Sequence, residues 1–189
     1  MIKKFCSRCG KLYDASNDGH CNCKASQKAL AERRKMFNDT RKQSSSFYNS
    51  TAWVKVANAM RRRDGDKDLI QFFLFVLLRK NKLFDYYPAS LPKIYEDAFR
   101  RLIDKLRASL IDANDYPRML GIDGDLLVHH IVPRNEDYSL QYRSNNLITI
   151  SAAAHNVIHE FYNRNSDCKI AAQSFLKDIL SKQYGYQYE

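Results

Sequence analysis

Leu127-Val128-His129-His130-Ile131-Val132-Pro133, then Asn146-Leu147-Ile148-Thr149-Ile150, then Ser151-Ala152-Ala153-Ala154-His155-Asn156-Val157-Ile158-His159, are the residues that decide how this chain is read. The apolar, β-branched run into His129 predicts a strand, and Pro133 stops it because proline has no N–H to give a ladder. Leu147 to Ile150 predicts a second short strand. Ser151 stands where an N-cap belongs, and the three alanines open a helix expected to run through Phe161. On that helix His155 and His159 are four residues apart, so they share one face about one turn from each other. Four of the five histidines thus fall on one strand–loop–strand–helix unit between 129 and 159.

This arrangement resembles the HNH endonuclease family with its ββα-metal fold. The resemblance rests on the His-His-Ile-Val-Pro strand, the Asn-Leu that opens the second strand, and the helix histidines. It implies that His130 is the general base, that His129 binds the metal, that Asn146 orients the base, and that His155 and His159 complete the metal site. The Phe-Tyr-x-Ser-x-x-Trp segment at 47–53, with the helix after it, is similar to phage and prophage members of that family. The likeness covers 47–63 and 125–165 well, the cysteine-rich N-terminus less well, and 64–120 hardly at all. It implies a DNA-cleaving enzyme of the small phage-associated type, with phage packaging proteins among its partners and the host cytoplasm as its location. Many family members also carry two cysteine pairs that hold a structural zinc in the core, one after the 64–66 turn and one around the second strand. Here the chain has Leu69 to Leu78 at the first place and Ser151 and Ala154 at the second. Burial of a Phe or Leu contributes roughly 1.5–3 kcal/mol, so packing is expected to replace that clamp.

Phosphodiester hydrolysis gives its own reasons for these residue types. It needs a base poised near neutral pH, and an unperturbed imidazole titrates at about 6.5. It also needs a cation to polarise the phosphate and stabilise the departing oxygen. Three neutral imidazoles suit zinc, nickel or another borderline metal, with magnesium and manganese as the other candidates, and they leave positions open for phosphate and water. An Asn carbonyl accepting the other ring N–H of His130 would fix its tautomer. Strand alternation alone sends His129 and His130 to opposite faces; both serve one site only if the strand bends at its end.

The formal net charge is +10 and it is uneven. Residues 1–63 hold 15 Lys/Arg against 4 Asp/Glu, and residues 64–189 hold 16 against 17. An excess confined to the first third predicts an arm that grips a polyanion, here DNA, ahead of the histidine unit. Cys6-x-x-Cys9-Gly10 and Cys21-x-Cys23 predict a structural zinc knuckle, with His20 able to stand in for one ligand. Cys168 reads as an inert thiol. No run approaches the ~20 apolar residues of a membrane span, and no apolar segment follows Lys3 and Lys4 as in a secretory signal. A cytoplasmic protein without membrane contact is expected.

The expected fold is α+β and mostly helical: a ββα-metal motif on a helical scaffold, with a small zinc-knuckle-like segment in front. The divisions are 1–24 for the knuckle, 25–46 for a basic helix and polar linker, and 47–189 for the nuclease domain, with a helical insertion at 64–120. Within it Trp53, Val56 and Met60 predict one core face. Leu69 to Leu78 predicts a helix buried nearly all round. Ile94, Ala98, Leu102, Leu106 and Leu110 predict an amphipathic helix. Asp64-Gly-Asp66 and Asp123-Gly124 predict turns. A closing helix runs from Ile170 to Leu180, and Tyr184 to Glu189 is a frayed end. Arg61, Arg62, Arg63, Arg134 and Arg143 are candidates for holding phosphate. Two other functions fit the same residues: a nucleic-acid-binding accessory protein with a degenerate or structural HNH site, and an RNA-directed nuclease.

Overall fold

The computed structural model describes residues 2–16, 20–110 and 126–188. The chain is α+β and mostly helical, and it divides into two units, Met1–Val54 and Lys55–Glu189. The Asp123-Gly124 turn lies outside the described residues. Among those residues no helix is long and apolar enough to cross a membrane.

In the first unit, β1 (Lys3–Phe5) and β2 (Leu12–Asp14) form an antiparallel hairpin with Lys3 opposite Asp14 and Phe5 opposite Leu12. Its turn closes through Cys6 N–H to Lys11 O and Gly10 N–H to Cys6 O, with Gly10 at φ +69°, the left-handed conformation that glycine takes without strain. Helix α1 (Lys24–Tyr48) starts at Cys23, whose sulfur accepts from Ser26 N–H. It continues through Ser44-Ser45-Ser46, where a polar linker was expected. Serine is a weak helix former, not a breaker. The helix end is anchored by Phe47 and Tyr48, whose rings lie 5.1 and 5.3 Å from that of Trp53. Tertiary contact therefore overrides local propensity here.

Helix α2 (Thr51–Arg63) buries Trp53 and Ala57 and leaves Val56 and Met60 half-buried. In the second unit, α3 (Leu69–Arg79), α4 (Glu96–Leu110), α5 (Ala152–Arg164) and α6 (Ser166–Tyr184) pack with a two-stranded sheet of β3 (Leu126–His130) and β4 (Leu147–Ser151). The strands are antiparallel, with His129 opposite Ile148 and His130 opposite Leu147. The core joins Leu74 of α3, Phe99 and Leu102 of α4, Ile158 of α5 and Phe175 of α6. Helix α3 buries only Leu69, Ile70 and Leu74 fully; its other apolar residues are half-buried, so it is a one-faced helix and not a central one. Ile94 is 80% exposed. It sits in a 3-10 turn, Lys93–Tyr95, whose three-residue pitch rotates it off the stripe that begins with Ala98.

The outer edge of β4 is closed by side chains instead of a third strand. Arg63 donates to Leu147 O at 2.7 Å, Asp64 accepts from Thr149 N–H at 2.8 Å, and Asp68 accepts from Ser151 N–H at 2.9 Å. Residues 147, 149 and 151 are the alternate ones that the ladder with β3 leaves unpaired, and an unpaired strand edge must be covered. Both aspartates are buried. Asp64 also takes the Arg63 guanidinium and the Tyr184 hydroxyl, and Asp68 also caps α3 through Ile70 and Gln71 N–H. Packing is thus joined by a carboxylate clamp at the place where a second metal was expected to be dispensable.

Tyr184 to Tyr188 are docked, not frayed, and Glu189 lies outside the described residues. Helix α6 ends at Gly185, φ +69°, and the chain then places Tyr186 on Ser144 Oγ at 3.2 Å and Tyr188 on Asn145 O at 2.7 Å. Each hydroxyl closes on the segment just before β4, so this tail braces the end of the loop between the strands.

Candidate metal centre

Strand β3 delivers His129 and His130 at its last two positions, and the chain bends at Ile131-Val132. Ser151 accepts from Ala154 N–H and starts α5 so that His155 and His159 face β3. The His129 ring stands edge-on to both, with centroids 5.3 Å from His155 and 5.2 Å from His159; those two are 4.3 Å apart. One ring nitrogen from each of the three lies within 4.8 Å of the others. Donors sharing one ion at about 2.0–2.1 Å stand roughly 3–4 Å apart, so a small side-chain adjustment makes a three-nitrogen site.

Three features fit a cation. His129 is 4% exposed, and its Nε2 has no hydrogen-bond partner among the described residues. A buried unpartnered polar atom is costly, and an ion is the partner this geometry lacks. Burial, reinforced by the charges of His155 and His159, holds His129 well below the ordinary histidine value. Burial and then the charge of His159 bring His155 to about 4, and burial lowers His159. All three are therefore neutral at pH 7, the form that ligates.

His130 is not one of the three. Its Nε2 meets the backbone carbonyl of Gln141 at 3.0 Å. A carbonyl only accepts, so in the neutral ring Nε2 carries the proton and Nδ1 the lone pair. Burial, and secondarily the positive charge of Arg134, lower its pKa, while the Gln141 carbonyl works the other way.

Asn146 acts on the loop and not on the ring. Its Oδ1 accepts from Val132 N–H at 2.8 Å, and its Nδ2 donates to Val132 O and Leu140 O at 3.1 and 3.3 Å. Its backbone O accepts from Ile131 N–H. One side chain thus ties the start of the loop to the residue before Gln141. The expected Asn–imidazole contact is replaced by a main-chain carbonyl that Asn146 holds in place. Ile131 O accepts from Tyr162 Oη at 2.6 Å and Gln173 Nε2 at 3.1 Å, so the bend is held from both sides. Gln141 acts through its backbone and leaves no mark in sequence; Tyr162 had one, since it follows His159 by three on the same helix face.

The arginines divide. Arg63 is spent inside the fold on Asp64, Ser144 O and Leu147 O, with its guanidinium 4.7 Å from the Tyr184 ring centre, so it is a clamp and not a phosphate ligand. Arg61 donates to Leu126 O. Arg62 and Arg143 are exposed, and Arg143 lines a cleft of about 420 Å³ with Ser139, Ser144 and Tyr186. Arg134 is half-buried, 5.8 Å from the Tyr138 ring.

In the first unit Cys6, Cys9, Cys21 and Cys23 form a second cluster, all sulfurs within 4.8 Å and close enough to bind a metal ion. Cys6 and Cys23 are 3.9 Å apart and Cys9 and Cys21 3.8 Å, and none is in a disulfide. Four thiolates at about 2.3 Å from one ion in a tetrahedron stand roughly 3.8 Å apart. Backbone N–H groups of Arg8 and Cys9 help bring the Cys6 thiol down to about 7. The donor set is four sulfurs, and His20 is not among it. The chain matches no family model, no curated protein and no solved structure.

Proposed function

We propose that this chain is a metal-dependent endonuclease of the HNH type, hydrolysing phosphodiester bonds in DNA. The observation that carries the reading is the buried His129, whose Nε2 has no partner among the described residues and one of whose ring nitrogens lies within 4.8 Å of ring nitrogens of His155 and His159, one residue from a histidine whose tautomer is set by Gln141. His129, His155 and His159 would hold the ion, and three imidazoles favour zinc or nickel over magnesium or manganese. When bound it supplies Lewis-acid polarisation of the phosphate and stabilisation of the leaving oxygen.

The chain's own part is proton transfer and positioning. His130 Nδ1 takes a proton from water as the water oxygen forms a bond to phosphorus and the bond to the 3′ oxygen breaks in line; that oxygen leaves and is protonated from solvent. The low pKa of His130 keeps it in the basic form at neutral pH. Asn146, Tyr162 and Gln173 keep the bend and loop from drifting, so the imidazole does not have to be ordered by substrate. The cysteine cluster, with four ligands and no open position, is structural. The basic first third supports a polyanionic substrate.

Supercoiled plasmid, incubated with and without zinc, nickel, magnesium or manganese, tests the proposal. His130→Ala is expected to lower cleavage roughly 10²–10⁴-fold with the fold intact. A wild-type protein that binds plasmid but cleaves it with none of these metals would make this an accessory binding protein instead.

A further inference from the structure

We infer that a cleft beside the cysteine cluster receives one unpaired base of a nucleic-acid strand, the base against Phe5 and its flanking phosphate against Arg8 and Arg33. This rests on the reading of the protein as one that acts on nucleic acid, and adds which state of the strand the first unit recognises. The cleft measures about 260 Å³ and is lined by Phe5, Arg8, Tyr13, His20 and Arg33, together with two of the clustered cysteines. None of the described residues lining it is acidic.

Phe5 is 76% exposed and Leu12, opposite it in the hairpin, is 50% exposed. A three-residue strand has little surface to spare, and two bare apolar side chains there do nothing for a core. Phe5 shares the cleft with Arg8 and Arg33, so its ring offers a flat apolar contact beside fixed positive charge, which is what a nucleotide requires: a π-face to stack and a phosphate to neutralise. Residues 2–35 contain nine Lys/Arg and three Asp/Glu. That surplus exceeds the net −2 of a divalent ion held by four thiolates, so the surroundings stay positive when the cluster is loaded. A duplex hides its base faces in the stack, and only an unpaired or splayed base presents one. The cleft therefore discriminates strand state and not base identity.

The test uses the full chain carrying His130→Ala so that probes stay intact. Fluorescein-labelled oligo-dT and oligo-U of about 12 nucleotides, and a blunt duplex of like length, are titrated in several salt concentrations. Phe5→Ala is expected to weaken binding to the single strands by about 5- to 150-fold and to the duplex by less than about twofold, with Phe5→Trp restoring it. Arg33→Ala is expected to reduce the single-strand salt slope by about 0.7. Metal content per chain, unchanged in each variant, shows that the knuckle is intact. A larger Phe5 effect on oligo-dT than on oligo-U assigns DNA, and the reverse assigns RNA; either supports the cleft. Equal losses on single strand and duplex, no loss on either, or displacement of the probe by polyglutamate as readily as by oligo-dT would overturn it. If the wild type cleaves plasmid while Phe5→Ala changes nothing, the cleft assignment falls alone. If the wild type binds none of the probes, the nucleic-acid reading falls with it.

Discussion

Replacing His129 by leucine should stabilise the metal-free protein and abolish its stabilisation by metal at this site. His129 is 4% exposed, its Nε2 has no partner among the described residues, and the rings of His155 and His159 crowd it on one side. An unsatisfied buried polar atom costs about 1–3 kcal/mol, and leucine, of similar volume, removes that cost. For a chain of this length each kcal/mol moves the melting temperature by about 2–4 °C, so metal-free His129→Leu should melt about 2–12 °C above metal-free wild type. Ligand at a hundredfold excess over its dissociation constant stabilises by about 2.7 kcal/mol, which is roughly 5–11 °C. Thermal melts are run for both proteins, metal-free and with excess nickel; the cysteine cluster responds alike in both, and the difference between them belongs to the histidines. Metal at this site raises only the wild type, so the gap should close, and the order inverts wherever the leucine gain is below about 2.7 kcal/mol. A leucine variant that is less stable than metal-free wild type, with the same metal-induced shift, would refute the view that His129 is held ready for an ion.

The folded values of His129, His130, His155 and His159 all lie below the ordinary 6.5, so on acidification the unfolded chain binds protons that the folded one does not. The melting temperature of the metal-free protein should hold above pH 6.5 and fall steadily toward about 4; a flat profile across that window would contradict the burial assigned to these rings. Asp64→Ala removes the buried acceptor shared by Arg63, Thr149 and Tyr184 and leaves a half-buried guanidinium and a buried Thr149 N–H without it, which should destabilise by about 3–5 kcal/mol in urea denaturation; a loss below about 1 kcal/mol would mean the β4 edge is held by packing alone. Tyr188→Phe deletes one hydroxyl bond to Asn145 O and should cost about 0.5–1.5 kcal/mol by the same measurement, whereas a frayed tail would show no change.

The strand–loop–strand–helix unit is legible in the residues alone because each of its signals is local: β-branched residues before Pro133, a serine three residues ahead of the N–H it caps, and two histidines at the helical repeat. The four-cysteine cluster is legible too, since tight Cys spacing around a glycine turn brings sulfurs together within one hairpin and one helix start. The amphipathic stripe from Ala98 to Leu106 is legible for the same reason, whereas Ile94 fits its four-residue period in sequence but lies off it because the turn before the helix has a different pitch. The rest depends on contacts between residues far apart in the chain. The partner of the His130 ring is a main-chain carbonyl eleven residues away, and every residue type has that carbonyl, so no pattern announces Gln141. Asn146 was legible as a residue of interest but not in its action, which depends on where the loop returns. Arg63 looked like any basic residue at a helix end; burial against Asp64 and the edge of β4 made it a clamp. The tyrosines after Gly185 read as loose because nothing near them in sequence needs a hydroxyl, while across the fold Ser144 and Asn145 do. Short-range periodicity and capping place the side chains that do chemistry, and long-range hydrogen bonds between groups common to all residues determine how those side chains are held.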